Sequence, residues 1–89
     1  MAALYARFIE PLTRHDELHH TLLVPTLQAL FANHLSAHDA AASLMVHRNT
    51  LRKRLQRVEA ILDVDLESMD DVLELYVALR VGELHPESA

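Results

Sequence analysis

Between Val46 and Val58 the chain reads VHRNTLRKRLQRV. Five basic side chains (Arg48, Arg52, Lys53, Arg54 and Arg57) fall within ten positions, and no carboxylate interrupts them. Asn49, Thr50 and Gln56 stand among them. All these groups can donate hydrogen bonds. Guanidinium forks match guanine edges, carboxamides match adenine edges, and an ammonium suits phosphate as a point charge. The chemistry is recognition of a polyanion, with no bond made or broken.

These groups form one surface only if one element aims them together. Leu51, Leu55, Val58 and Leu62 recur at i, i+4, i+7 and i+11, the stripe of a helix buried on one side. The spacing predicts a helix over residues 48–62. With Leu51 as origin, Arg52, Gln56, Asn49, Lys53 and Arg57 fall at roughly 100°, 140°, 160°, 200° and 240° around its axis. They make one face opposite the stripe. Arg54, at roughly 300°, lies beside the stripe and is expected to pair with an acid such as Glu74. His47 takes the capping position. A recognition helix reads bases with its first turns, and its amide donors favour nearby phosphate. Arg48, Asn49 and Arg52 are therefore the candidates for base edges. Thr50, Lys53 and Arg57 are candidates for backbone contacts, and Gln56 completes the face.

A helix presented in this way needs a support. Ser36 and Asp39 form a capping-box variant that opens an Ala-rich helix over residues 37–44. Its three consecutive alanines, Ala40, Ala41 and Ala42, allow close approach by a neighbour. Met45 and Val46 then break it. The break is too short for antiparallel helices, so a steep crossing is expected: a helix-turn-helix. Ala41, Val46, Leu51 and Leu55 stand where two crossing helices must pack.

The remaining chain reads as further helices of a small all-α bundle. Leu4, Phe8, Ile9 and Leu12 suggest a first helix over residues 2–12, ending near Pro11, with a polar break at 13–16. Asp16 is a candidate cap. A helix from about Thr21 keeps Pro25 in its first turn and buries Leu23, Leu27, Leu30 and Phe31 before stopping near Asn33. Residues 63–67 read as a loop. Ser68 and Asp71 cap a last helix whose Val72, Leu73, Tyr76, Val77 and Leu79 read as core, and which ends near residues 82–85. The expected organisation is an N-terminal helix and linker (1–14), a helix-turn-helix domain (15–84) and a flexible tail (85–89). The last helix or the first could offer a dimer contact.

Composition narrows the function. The 89 residues hold 13 acids, eight Lys and Arg and no Cys, with a formal charge of -5. Overall charge argues against nucleic acid, but its distribution does not. Residues 40–58 carry the five bases and no acid, and residues 59–75 carry seven acids and no base. Without cysteine there is no disulfide scaffold, thiolate metal site or thiol nucleophile. No membrane span or signal-peptide layout is evident, so a cytoplasmic location is expected. The seven histidines include His15 with His19 and His34 with His38, each four apart, yet no further ligands are suitably spaced for a metal. Asp63, Asp65 and Glu67 alternate but lack the Gly and closing Glu of a calcium loop. No nucleophile–base pair or phosphate loop indicates an enzyme, and no cofactor is called for.

HRNTLRKRLQRVE resembles HRNTLRYRLRRIE, the signature of the PucR-type C-terminal helix-turn-helix of purine-catabolism and sugar-diacid regulators. The likeness continues upstream through TLQALFANHLSAHDAAASL and downstream through LDVDLESMDDVLELYVALRV. The recognition helix is also similar to that of the nucleoid protein Fis. The resemblance implies a transcription regulator reading double-stranded DNA with a helix that begins at Arg48. It also implies sensor domains elsewhere on a longer chain, of which this would be a fragment. Paired half-sites, where present, would require two copies, so a homodimer is a further expectation. Lys53 stands where the family commonly has Tyr, and Asn33-His34 replaces a longer Gly-containing link. The competing function is a helical interaction module whose basic groove accepts an acidic partner.

Overall fold

Abundant Ala and Leu with a single Gly favour helix throughout, and every regular element among the described residues is helical. The computed structural model describes residues 2–84; the tail expected at 85–89 lies outside the described residues. The elements are α1 (Ala2–Leu4), a π-helical segment (Tyr5–Ile9), α2 (Glu10–His19), α3 (Leu23–Ala32), α4 (Ala37–Leu44), α5 (Arg48–Leu62) and α6 (Met69–Leu84).

The first helix does not end at Pro11, and residues 13–16 are no break. α1, the π segment and α2 run on continuously to His19. A proline lacks the amide that an α-turn needs and clashes with the carbonyl four residues back. Here the Glu10 amide donates to the Tyr5 carbonyl, five residues back. Pro11 follows that wider turn, in the opening turn of α2. The π segment thus lets the rod accept a residue that would otherwise end it.

His20, at φ 55°, terminates α2 in the left-handed region. Asp16 then caps α3 from within the preceding helix. Its Oδ1 accepts from the Leu23 amide at 2.8 Å and the Thr21 hydroxyl at 2.6 Å, and its Oδ2 accepts from the Val24 amide at 2.9 Å. α3 therefore begins two residues later than expected, at Leu23, with Pro25 still in its first turn. It stops at Asn33. His34 and Leu35, both at positive φ, carry the chain to Ser36.

Ser36 caps α4 as expected, accepting from the Asp39 amide at 3.1 Å. α4 and α5 have the bounds that the sequence indicates. Ser68 accepts from the Asp71 amide at 3.4 Å at the start of α6.

Two apolar clusters hold these rods. In the larger, Phe8, Ile9 and Leu12 meet Leu23, Leu27, Val58, Leu75, Ala78 and Leu79. The smaller one is the helix-turn-helix core: Leu30, Ala40, Ala41 and Leu51, with Val46 and Leu55 packed against it. The alanines are buried because α3 and α5 close directly onto α4. α6 differs from expectation. Its buried side is Val72, Leu75, Ala78 and Leu79, while Leu73, Tyr76 and Val77 are exposed. It packs on α1 and the π segment, and that contact selects the face.

Candidate nucleic-acid interface

The two sides of α5 contrast sharply. Leu51 and Val58 have no solvent exposure, and Leu55 and Leu62 are half-buried. Arg48, Asn49, Thr50, Arg52, Lys53, Gln56 and Arg57 are all exposed. The seven residues singled out from the sequence thus lie on one helix, uncovered by any described neighbour.

Its entrance is held by His47. The imidazole Nδ1 accepts from the Asn49 amide at 3.0 Å, satisfying one of the donors that a helix start leaves unpaired. Accepting requires a lone pair on Nδ1, which places the ring proton on Nε2. Met45, at φ 58°, closes α4, and Val46, packed against the smaller cluster, carries the chain into α5. The turn is therefore fixed at both ends.

Two of the base-edge candidates are linked. Asn49 Oδ1 accepts from Arg52 Nη2 at 3.0 Å. This leaves the Asn49 amide group free to donate and holds the Arg52 guanidinium over the first turn. Arg54 behaves differently. It does not pair with Glu74. Its flank of α5 faces α3, so the half-buried guanidinium donates to the Thr26 hydroxyl at 3.4 Å. Thr26 itself is fully buried and donates to the Leu22 carbonyl at 2.7 Å.

The acidic segment does not neutralise this face. Glu59 accepts from the Leu66 amide, Asp71 from the Asp65 amide and Asp65 from the Glu67 amide, at 2.8, 2.8 and 2.9 Å. These carboxylates organise the loop between α5 and α6. Among the described residues the ion pair is Arg80–Glu83, within α6. No cluster of three or more His, Asp or Glu among the described residues could hold a metal ion. No described helix is long and apolar enough to cross a membrane.

Residues 23–81 match the PucR C-terminal helix-turn-helix domain. The chain belongs to that family. It is accordingly the DNA-binding domain of a transcription-regulator family, not an enzyme. This PucR-type domain is 42% identical over 62 residues to the carbohydrate diacid regulator of Escherichia coli K12, covering 70% of the chain and 16% of the regulator. It is 26% identical over 80 residues to the DNA-binding transcriptional activator AdeR of Bacillus subtilis, covering 90% of the chain and 19% of AdeR. A third relative is an uncharacterised protein in the pkwA 5′ region of Thermomonospora curvata, 38% identical over 69 residues, covering 78% of the chain and 38% of that protein. The PucR-type chain thus spans well under half the length of these relatives. No solved structure matches it.

One set of side chains near α5 was not marked by the sequence as part of a site. His15, His19 and His20 border an open cleft of about 560 Å³ that Lys53, Arg54 and Arg57 line from the other side. The four-residue spacing of His15 and His19 was visible. Their nearness to α5 was not, because it depends on α2 continuing through Pro11 and packing beside α5.

Proposed function

We propose that the domain binds double-stranded DNA sequence-specifically by placing α5 in the major groove. Arg48, Asn49 and Arg52, in the first turns, address base edges. Thr50, Lys53 and Arg57 address the phosphate backbone, and Gln56 lies between them with a carboxamide suited to adenine. The observation that carries this reading is the division of α5 into an inward apolar stripe, with Leu51 and Val58 fully buried, and seven exposed donors. Affinity would come chiefly from phosphate neutralisation, and discrimination from the base edges.

By analogy with the much longer relatives, the domain serves as the reading head of a larger cytoplasmic regulator whose sensor lies elsewhere on the chain. Paired half-sites would call for two copies, so a homodimer is proposed on the operator. Selection of bound duplexes from a random pool tests both points. The expected product is a motif with two-fold symmetry; a pool that stays random after repeated rounds rejects sequence-specific reading. With a selected duplex in hand, Arg48→Ala should lower selected-site affinity about 10-fold or more while changing random-duplex affinity much less. Equal losses on both would assign Arg48 to phosphate alone.

A further inference from the structure

The cleft beside α5 is lined only in part by the matched family region: Lys53, Arg54 and Arg57 fall within it, whereas His15, His19 and His20 precede residue 23. Its lining carries one sign of charge. Lys53, Arg54 and Arg57 form one wall, three imidazoles stand opposite, and no carboxylate lines it, although acids outnumber Lys and Arg by 13 to eight along the chain. The nearest acid in sequence, Asp16, has both oxygens committed to the start of α3 and to Thr21. The Thr21 hydroxyl donates to Asp16, so it accepts from His15 Nδ1, 2.9 Å away. His15 is thereby fixed, and the His19 ring packs against it with centroids 4.6 Å apart. Lys53 and Arg57 are exposed and have no ion pair among the described residues.

The cleft adjoins the edge of α5 that carries Lys53 and Arg57, and it opens to solvent rather than enclosing a volume. An open-sided basic trough continuous with a groove-reading helix fits the rail of phosphates that borders a major groove. We propose that this cleft seats a backbone phosphate of the bound duplex, so that the DNA-contacting surface extends from the helix-turn-helix to the C-terminal turn of α2. The inference rests on α5 reading DNA.

His19 offers the cleanest test, because it is exposed, its side chain makes no hydrogen bond among the described residues, and it lies outside the proposed base-reading set. Affinities of the full chain, His19→Glu, His19→Gln and His19→Lys would be measured on a selected duplex and a scrambled one at two salt concentrations. The expected order is Glu weakest and Lys tightest, with Glu and Lys about 10-fold or more apart on both duplexes. The ratio between duplexes should hold, and the salt slope should steepen by about one in the lysine variant. Lysine in the last turn of α2 also suits the helix dipole, so this variant stays informative if the glutamate one folds poorly. A scan of single neutral methylphosphonates should find one phosphate at which the lysine gain disappears.

Equal affinities across the series, with the wild type still preferring the selected duplex, would remove the cleft from the interface and leave α5 as the reader. A lysine gain that no single methylphosphonate abolishes would mean diffuse attraction and would overturn a seated phosphate. Failure of the wild type to bind any duplex would end the proposal together with the reading beneath it.

Discussion

His47 holds the start of α5 through one imidazole lone pair. Any side chain with an acceptor at that reach can do the same. His47→Ala should therefore cost about 1 kcal/mol, and His47→Asp or His47→Ser should recover most of it; urea denaturation gives the comparison. Asp16 carries more, since two amides and a hydroxyl converge on its carboxylate. Asp16→Ala leaves those donors unmatched and should cost about 2–3 kcal/mol, with early loss of amide protection in the first turn of α3. His34 is the opposite case. It is exposed at φ 57°, where a Cβ is unfavourable. The family's glycines belong in such a link, so His34→Gly should leave stability unchanged or raise it by about 0.5 kcal/mol, read as a shift of the urea midpoint.

Helices whose limits depend on local chemistry were legible in the sequence, and those that depend on neighbours were not. Ser36, Ser68 and His47 sit at the starts of α4, α6 and α5 where their side chains would place them. The stripe of α5 follows from spacing alone, and the outward placement of Arg52, Gln56, Asn49, Lys53 and Arg57 follows from the stripe. Pro11 misled because its cost in an α-turn is local knowledge, whereas its acceptance needs a π turn just before it. α6 misled for another reason. It is apolar on several sides, so its sequence offers Leu73 and Tyr76 as readily as Leu75 and Ala78. Contact with the N-terminal rod makes the choice. A sharp consequence concerns Gly82, where an added Cβ would collide with the edge of the Tyr5 ring. Gly82→Ala must displace that ring and should cost about 1–3 kcal/mol. Tyr5→Ala in the same chain should relieve the clash, so the two losses should be less than additive in a double-mutant cycle.

Across the molecule, charge is sorted rather than balanced. Glu59, Asp65 and Asp71 bind backbone amides of the loop after α5, and no ion pair among the described residues reaches the basic face, which stays unneutralised on a chain of formal charge -5. Such an arrangement should orient the domain in the field of a polyanion and repel it in other orientations. Lys53→Ala should weaken binding to all duplexes alike and reduce the salt slope by about one; an unchanged slope removes Lys53 from the phosphate contacts. Leu51→Ala should instead cost about 2–5 kcal/mol of stability, because Leu51 is fully buried between α4 and α3.

The packing of α6 on the π segment also governs how the domain is born. Phe8, Ile9 and Leu12 are sealed in part by Leu75, Ala78 and Leu79, residues made almost a whole domain later. During translation the reading helix and its supports leave the ribosome before α6, so one apolar flank of the N-terminal rod stays uncovered until α6 emerges. Nascent chains halted before α6 should therefore stay protease-sensitive in the rod of residues 2–19, and those extended past it should become resistant.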